Sequence, residues 1–213
     1  MRVKRNPDQT KERILQAAFA EFAANGLEGA RVDTIAERAQ ANKGMIYHYY
    51  GNKEGLFQAV LERAYEEIRT REQDLDMDGR DTEEAIRDLV AFTFNYFFER
   101  PEFIRLLNNE NLYHAEHIRT STRVAELHSP FVEQLKSVLA RGARRGTFRT
   151  DVDPVQLYIT IAGLSYFYFS NASTLGTIFG RDLLTSAARA ERLAHITDVV
   201  IDYLKAPALI GQD

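Results

Sequence analysis

Nearly every segment of this chain longer than ten residues repeats its apolar side chains at helical spacing. No segment alternates apolar and polar residues as a half-buried strand would. In residues 7–25, for example, Ile14, Ala18 and Phe22 recur at every fourth position. The pattern therefore predicts an all-α fold of about nine helices. A chain of 213 residues has room for one large domain or two smaller ones.

Capping and helix-breaking residues predict where the first helices begin and end. Gly26 ends the first helix, and Asp33 caps a second helix of about two turns. Asn42 caps a third short helix over residues 43–49, and a long fourth helix begins at Lys53. Later helices are predicted over residues 82–99, 102–113, 122–145, 154–172 and 182–205.

The fourth helix marks a predicted boundary between a three-helix domain, residues 1–53, and a larger helical domain, residues 54–213. The whole chain carries a formal charge of −4, which by itself argues against a general polyanion binder. The charge is uneven, however, because residues 1–53 carry +3 and residues 54–213 carry −7. The first predicted domain is therefore mildly basic and the second is acidic.

Composition narrows the remaining classes of protein. The absence of cysteine excludes disulfide scaffolds, thiolate zinc sites and cysteine nucleophiles, and it suits a reducing compartment. The first ten residues are followed by no apolar stretch of a signal peptide, and no window approaches a membrane span of 18 apolar residues. We therefore expect a cytoplasmic protein.

Two short helices joined by a tight turn of three or four residues form a helix-turn-helix, which places its second helix in the major groove of DNA. Lys43 and Gly44 lie at the N-terminus of that second helix, where free backbone N–H groups favour a phosphate. The next positions hold hydrogen-bonding aromatic groups at Tyr47, His48 and Tyr49. Two other side chains of this helix are expected to pack inward, namely Ile46 and Tyr50.

The stretch VDTIAERAQANKGMIYHYYGNKEGLFQAV resembles the DNA-binding signature of TetR-family transcriptional regulators. The resemblance covers about residues 10–60 and rests on helix order, helix spacing and the Tyr-His-Tyr-Tyr run together. Two positions depart from the family pattern. Gln40 stands where the family often has a glycine in the turn, and Tyr50 stands where it often has phenylalanine. A glycine would accept a positive φ there more easily than Gln40 does.

The resemblance implies a homodimeric repressor that binds a palindromic operator and is released by a small, apolar or aromatic ligand. The N-terminal arm with Arg2, Lys4 and Arg5 either reaches phosphate or the minor groove, or is an unstructured solubilising terminus. The residues that the resemblance assigns to DNA contact are Thr34, Lys43, Gly44, Tyr47, His48, Tyr49 and Lys53. Gln40, which departs from the family pattern, is added as a predicted DNA contact because its side chain stands in the turn beside them.

Aromatic residues are concentrated between residues 92 and 169, as is typical of a pocket for a small apolar or aromatic ligand. The predicted ligand-binding residues are Phe92, Tyr96, Phe103, Asn111, Tyr113, His117 and Tyr166. The resemblance also implies that the last two helices pair across a two-fold axis. The predicted dimer-interface residues are Ile161, Leu164, Tyr168, Ile196, Val200 and Tyr203.

Two rival functions remain open at this point. Glu110, His114 and His117 would share one helical face if the helix continued through them, and their side chains are suitable zinc ligands. One rival is therefore a metal-dependent helical enzyme, although it leaves the pattern of residues 33–56 unexplained. The other is a helical adaptor that does not bind DNA. The leading hypothesis is a regulator that is not an enzyme and requires no cofactor.

Overall fold

A computed structural model of the chain describes residues 7–205, apart from the side chains of residues 128 and 129. Within this part of the chain the fold is all-α, and the one β feature is an isolated antiparallel bridge between Phe148 and Lys205. The helices are α1 (Pro7–Gly29), α2 (Val32–Arg38), α3 (Lys43–Tyr50), α4 (Lys53–Gln73), α5 (Thr82–Glu99), α6 (Pro101–Leu112), α7 (Glu116–Arg119), α8 (Thr122–Arg144), α9 (Pro154–Ser170), α10 (Ala172–Phe179) and α11 (Ser186–Leu204).

The predicted all-α class is confirmed, and the described residues contain eleven helices because two short ones escape the sequence pattern. One is α7, whose four residues are too few to show a helical period. The other is α10, which follows α9 after the single residue Asn171.

Side-chain capping defines the start of α3 and of α9. The side chain of Asn42 accepts a hydrogen bond from the backbone N–H of Gly44, so the predicted cap of α3 is confirmed. Asp153 caps α9 in the same way by accepting a hydrogen bond from Gln156. The predicted cap at Asp33 is wrong, since Arg31 occupies the N-cap position of α2 and makes no side-chain capping bond. Asp33 lies in the first turn, where its negative charge still complements the helix dipole.

The chain divides into two compact units. The first unit comprises Met1–Glu67 and Arg100–Leu127, and the second comprises Ile68–Glu99 and His128–Asp213. The predicted domain 1–53 falls wholly in the first unit. Its boundary at residue 53 stays a prediction.

The first unit is held together by α1, which packs against both α2 and α6. Near its end α1 kinks at Gly26, which has a φ of 67° that few residues other than glycine adopt. Phe57 of α4 is fully buried, and its ring meets the edges of Phe22 and His117 at centroid distances of 5.1 Å. These contacts give the unit an aromatic centre beneath the helix-turn-helix.

The core of the second unit is built where α5 packs against α9 and α11. Phe94 lies fully buried among them and contacts the rings of Tyr168 and Phe169 at 5.9 and 4.7 Å. In the described residues, the helices are all too short or too polar to cross a lipid bilayer.

Candidate nucleic-acid interface

The α2–α3 pair is anchored by a few buried apolar side chains. Ile35 and Ala39 on the α2 side and Ile46 of α3 are 0–1% exposed. Helices of seven and eight residues are too short to be stable alone, so burial of these side chains supplies the stability that hydrogen bonds along each helix cannot. The predicted inward packing of Ile46 is confirmed.

The turn between the two helices is unusually tight. Gln40 has a φ of 49°, in the left-handed region that glycine prefers, and the next N–H, of Ala41, bonds to the carbonyl of Ala36 at 2.9 Å. Arg13 of α1 also donates from its Nε to the carbonyl of Ala39 at 3.1 Å. The strain at Gln40 is therefore sustained by hydrogen bonds on both sides of the turn.

Glu21 of α1 fixes the position of α2. Its side chain is 3% exposed, accepts a hydrogen bond from the backbone N–H of Arg31 at 3.2 Å, and pairs with Arg38 at 3.0 Å. One carboxylate thus holds both ends of the seven-residue helix. Sequence reasoning missed this residue because an acidic residue near the middle of a helix is normally solvated.

The N-terminus of α3 presents polar groups to solvent. Lys43 and Gly44 are both exposed. The side chain of Asn42, the residue before them, accepts a hydrogen bond from the backbone N–H of Gly44. The Lys43 ammonium lies 2.9 Å from Asp33, and this hydrogen bond raises the pKa of Lys43. The cation is therefore partly neutralised by its own neighbour in the free protein.

The exposed face of α3 continues with Tyr47, which is 42% exposed, and with exposed His48. The His48 ring lies 5.5 Å from that of Tyr49, which is half-buried and lies beneath the Lys11 ammonium at 5.3 Å. Thr34 and Gln40, the two remaining predicted contacts on α2 and in the turn, are half-buried and exposed, respectively. Polar groups of the helix-turn-helix are therefore exposed and accessible to DNA.

Two residues at the end of this segment interact mainly with the protein. Tyr50 is half-buried, donates its hydroxyl to the Lys11 carbonyl at 3.4 Å, and has its pKa raised to about 12 by burial. Lys53 donates to the carbonyl of Glu28 at 3.0 Å. Since an ammonium has three N–H donors, this bond leaves Lys53 with donors for a phosphate.

A contact that the sequence did not predict joins the end of α1 to α6. The side-chain amide of Asn109 accepts a hydrogen bond from the N–H of Leu27 at 2.9 Å, next to the kink at Gly26. Tyr113, a predicted ligand residue, donates its hydroxyl to Glu28 at 3.3 Å. A local sequence pattern cannot predict these two contacts, because the bonded residues are 82 and 85 positions apart.

The predicted ligand-binding residues fall into both units. Phe92, Tyr96 and Tyr166 belong to the second unit, where Phe92 stacks near Tyr96 at 5.9 Å and Tyr166 contacts Phe97 at 6.2 Å. The first unit holds buried Phe103 and His117, half-buried Tyr113 and exposed Asn111.

An open groove of about 720 Å³ in the second unit is lined by other residues, among them Tyr168, Arg181 and Arg192. The structure thus does not gather the seven predicted ligand residues around that groove. Their role in ligand binding stays a prediction.

Three predicted interface residues, Ile161, Ile196 and Val200, are only 0–1% exposed within the second unit. Within one chain these side chains pack inside the core, and their contact with a partner stays a prediction. Leu164 and Tyr168 also pack with that core, and the Tyr168 hydroxyl donates to the Leu183 carbonyl at 2.6 Å. The remaining predicted residue, Tyr203, is 48% exposed.

Glu110, His114 and His117, on which the rival metal-enzyme hypothesis depends, do not share one helical face. Helix α6 ends at Leu112, and His114 and Ala115 have positive φ values of 53° and 60°, so the chain turns before His117. Glu110 and His117 then meet at 2.7 Å, with both side chains buried. His114 is exposed and forms no part of this pair, and the described residues contain no group of three potential metal ligands.

The N-terminal arm with Arg2, Lys4 and Arg5 lies outside the described residues.

Comparison of the chain with known protein families finds two matching family models. The family described as "Bacterial regulatory proteins, tetR family" matches residues 14–60, and the one described as "Tetracyclin repressor-like, C-terminal domain" matches residues 83–200.

Individual relatives are also described as transcriptional repressors or regulators. The chain is 38% identical to the HTH-type transcriptional repressor NicS of Pseudomonas putida over 93% of both chains. It is 45% identical to the HTH-type transcriptional repressor SCO4008 of Streptomyces coelicolor over 48% of this chain and 50% of that one. The crystal structure of the regulator SCO4942 from Streptomyces coelicolor superposes with a TM-score of 0.69 at 25% identity, covering 93% and 99% of the two chains.

Proposed function

Since the chain belongs to the tetR family of DNA-binding transcriptional repressors, we propose that it acts as a homodimer on a palindromic operator and that a small ligand releases it. Such a regulator has no catalytic turnover and works in the cytoplasm, where chromosomal DNA lies. The observation that supports the reading surface is the contrast within α3. Ile46 is fully buried while Lys43, Gly44, Tyr47 and His48 remain exposed.

Each exposed group has a distinct proposed role. Lys43 and the backbone N–H groups at the start of α3 bind phosphate, as does Lys53, while Gly44 leaves room for the DNA backbone. Tyr47 and His48 present hydrogen-bonding rings to base edges in the major groove, with Thr34, Gln40 and Tyr49 beside them. The ion pair between Lys43 and Asp33 exchanges for a phosphate contact on binding.

The decisive experiment is selection of bound sequences from a random pool of double-stranded DNA, using the full-length chain. We expect enrichment of two inverted half-sites, because a two-fold symmetric protein reads a symmetric site. Enrichment of a single unrepeated site would contradict the dimeric arrangement. Binding without any enriched sequence would contradict operator recognition itself.

The proposed dimer surface uses exposed apolar residues of α9 and α11. Val155, Ile159 and Phe167 are spaced by multiples of four on α9 and are 45–57% exposed, so they share one face. Val199 and Tyr203 of α11 are 44% and 48% exposed and are also four apart. Exposed apolar residues in such rows are typical of helices that pair with a second copy.

Sedimentation of Phe167→Glu tests this surface. A buried carboxylate would oppose helix pairing, so we expect the variant to sediment as a monomer at concentrations where the unmodified chain is a dimer. Leu112→Glu serves as the control, because Leu112 is 75% exposed and belongs to the first unit. Dimerisation of Phe167→Glu with unchanged affinity would contradict the proposed surface.

A further inference from the structure

The second unit contains a buried ion pair that neither DNA binding nor dimerisation uses. Arg69 and Glu72, one turn apart near the end of α4, are 2% and 1% exposed. The Arg69 guanidinium lies over the rings of Phe131 and Tyr158 at 4.8 and 5.2 Å, and its Nη2 donates to the Tyr158 hydroxyl at 2.6 Å. We call these four residues the Arg69 cluster.

The hydrogen bonding of the Arg69 cluster is incomplete. Nη1 of Arg69 lies 2.5 Å from Oε2 of Glu72 as an ion pair, but the contact does not have the geometry of a hydrogen bond. Nε and Nη1 of Arg69 and both carboxylate oxygens of Glu72 consequently lack a hydrogen bond of acceptable geometry. Buried charged groups are normally saturated with hydrogen bonds, and groups that are not are candidates for a missing partner.

We propose that the Arg69 cluster binds a small monocarboxylic acid with an apolar body, which would be the releasing ligand; this proposal rests on the proposed function. In this proposal the ligand carboxylate takes the place of Glu72 as the partner of Arg69. A guanidinium matches a carboxylate in geometry and charge, and the aromatic faces of Phe131 and Tyr158 favour an apolar ligand body.

Glu72 is suited to leave the ion pair. Burial raises the pKa of its carboxyl group to about 7, despite the opposing effect of Arg69. Among the described residues, Arg69 and the Tyr158 hydroxyl are the charged and titratable groups that interact with Glu72. A proton taken up by Glu72 would keep the cluster neutral when the ligand carboxylate arrives. Ligand binding is therefore expected to absorb up to one proton and to strengthen as the pH falls toward neutrality.

Isothermal titration calorimetry of the full-length protein tests the site with acetate, hexanoate and benzoate, each paired with its neutral amide. We expect the larger acids to bind at least tenfold more tightly than their amides. In buffers of different ionisation enthalpy, the observed heat should vary as it does when a proton is absorbed. Equal binding of acids and amides, or no binding of any acid, would overturn the proposal.

Variants separate a ligand site from a structural ion pair. Arg69→Met combined with Glu72→Gln removes both buried charges and is expected to fold while losing at least tenfold in affinity for benzoate. Glu72→Gln alone should retain binding but abolish the proton uptake. Arg71→Met is the control, since Arg71 lies on the same helix but is 38% exposed and pairs with Glu99. Undiminished benzoate binding by the double variant would contradict the role of Arg69.

Operator binding, measured on the same preparations without acid, keeps the two proposals distinguishable. A protein that binds its operator but ignores every carboxylate disproves the ligand site and leaves the regulator intact. A protein that binds benzoate through Arg69 but selects no DNA sequence disproves the operator function instead.

Discussion

The α2–α3 pair and the Arg69 cluster place their polar groups in opposite surroundings. Lys43, Tyr47 and His48 are exposed on a helix that buries one isoleucine, whereas Arg69 and Glu72 are charged and almost completely buried. Exposed groups can be replaced with little effect on folding, while buried charges affect folding and binding together. The same substitution experiment should therefore give different stability results in the two regions.

The largest expected effect comes from breaking the buried pair. Above the pKa of Glu72, Arg69→Met should lower the free energy of unfolding by about 3–5 kcal/mol, because the ionised Glu72 carboxylate then loses its buried counter-ion. Arg69→Met with Glu72→Met should recover most of that loss, since well-packed apolar residues often replace buried ion pairs without penalty. Chemical denaturation of both variants at about pH 9, where Glu72 of the unmodified protein is ionised, measures the difference. Equal stability of the single and double variants would show that the two charges are not coupled.

The titration of Glu72 gives the next largest effect. Its pKa is raised from 4.5 to about 7 in the folded protein, so the folded state holds this proton more tightly than the unfolded state does. Ionisation between these two values therefore destabilises the folded chain as the pH rises. Relative to the unmodified protein, Glu72→Gln should gain up to about 3 kcal/mol between pH 4.5 and about pH 8. A stability difference that is independent of pH would contradict the raised pKa.

A steric change at Gly55 tests the first unit. A Cβ atom at Gly55 would lie 2.2 Å from the carbonyl oxygen of Tyr50, so Gly55→Ala must displace the junction between α3 and α4. Overpacking of this kind destabilises by about 1–3 kcal/mol, and operator affinity should fall with it. Gly29→Ala is the matched control, because its nearest contact would be an ordinary 3.4 Å. Thermal unfolding and operator titration of the two variants provide the comparison.

The smallest effect concerns the ion pair at the tip of α3. Asp33→Asn removes the partner of Lys43 and one negative charge, so operator affinity should rise a few-fold at low salt and less at high salt. Glu37→Gln removes one exposed charge from the same helix and controls for net charge. An equal rise in operator affinity in the two variants would show that release of Lys43 from Asp33 adds nothing beyond the change in net charge.

Features set by neighbouring residues could be predicted from the sequence, and features set by distant contacts could not. Asn42 and Asp153 cap helices through residues two or three positions away, so their roles follow from local chemistry. Helix α9, by contrast, is apolar nearly all round, which is why the sequence did not show that Ile161 faces the core while Ile159 is exposed.

The ligand region shows the same limit. Arg69 and Glu72 lie three positions apart in a highly charged part of α4, a pattern typical of a solvated helix surface. Only the contacts with Phe131 and Tyr158, made from distant helices, reveal that both charges are buried. The helix-turn-helix was predictable because the positions assigned to DNA contact occupy one short stretch of sequence.

The most direct test of α3 as the reading helix is the ratio of affinities for the selected operator and an unrelated duplex of equal length. By fluorescence anisotropy, Tyr47→Ala and His48→Ala should each reduce that discrimination by about 1–3 kcal/mol, with unfolding free energies changed by no more than about 0.5 kcal/mol. Lys53→Ala should weaken both affinities alike and lower the salt dependence. Unchanged discrimination in both ring variants would contradict the account.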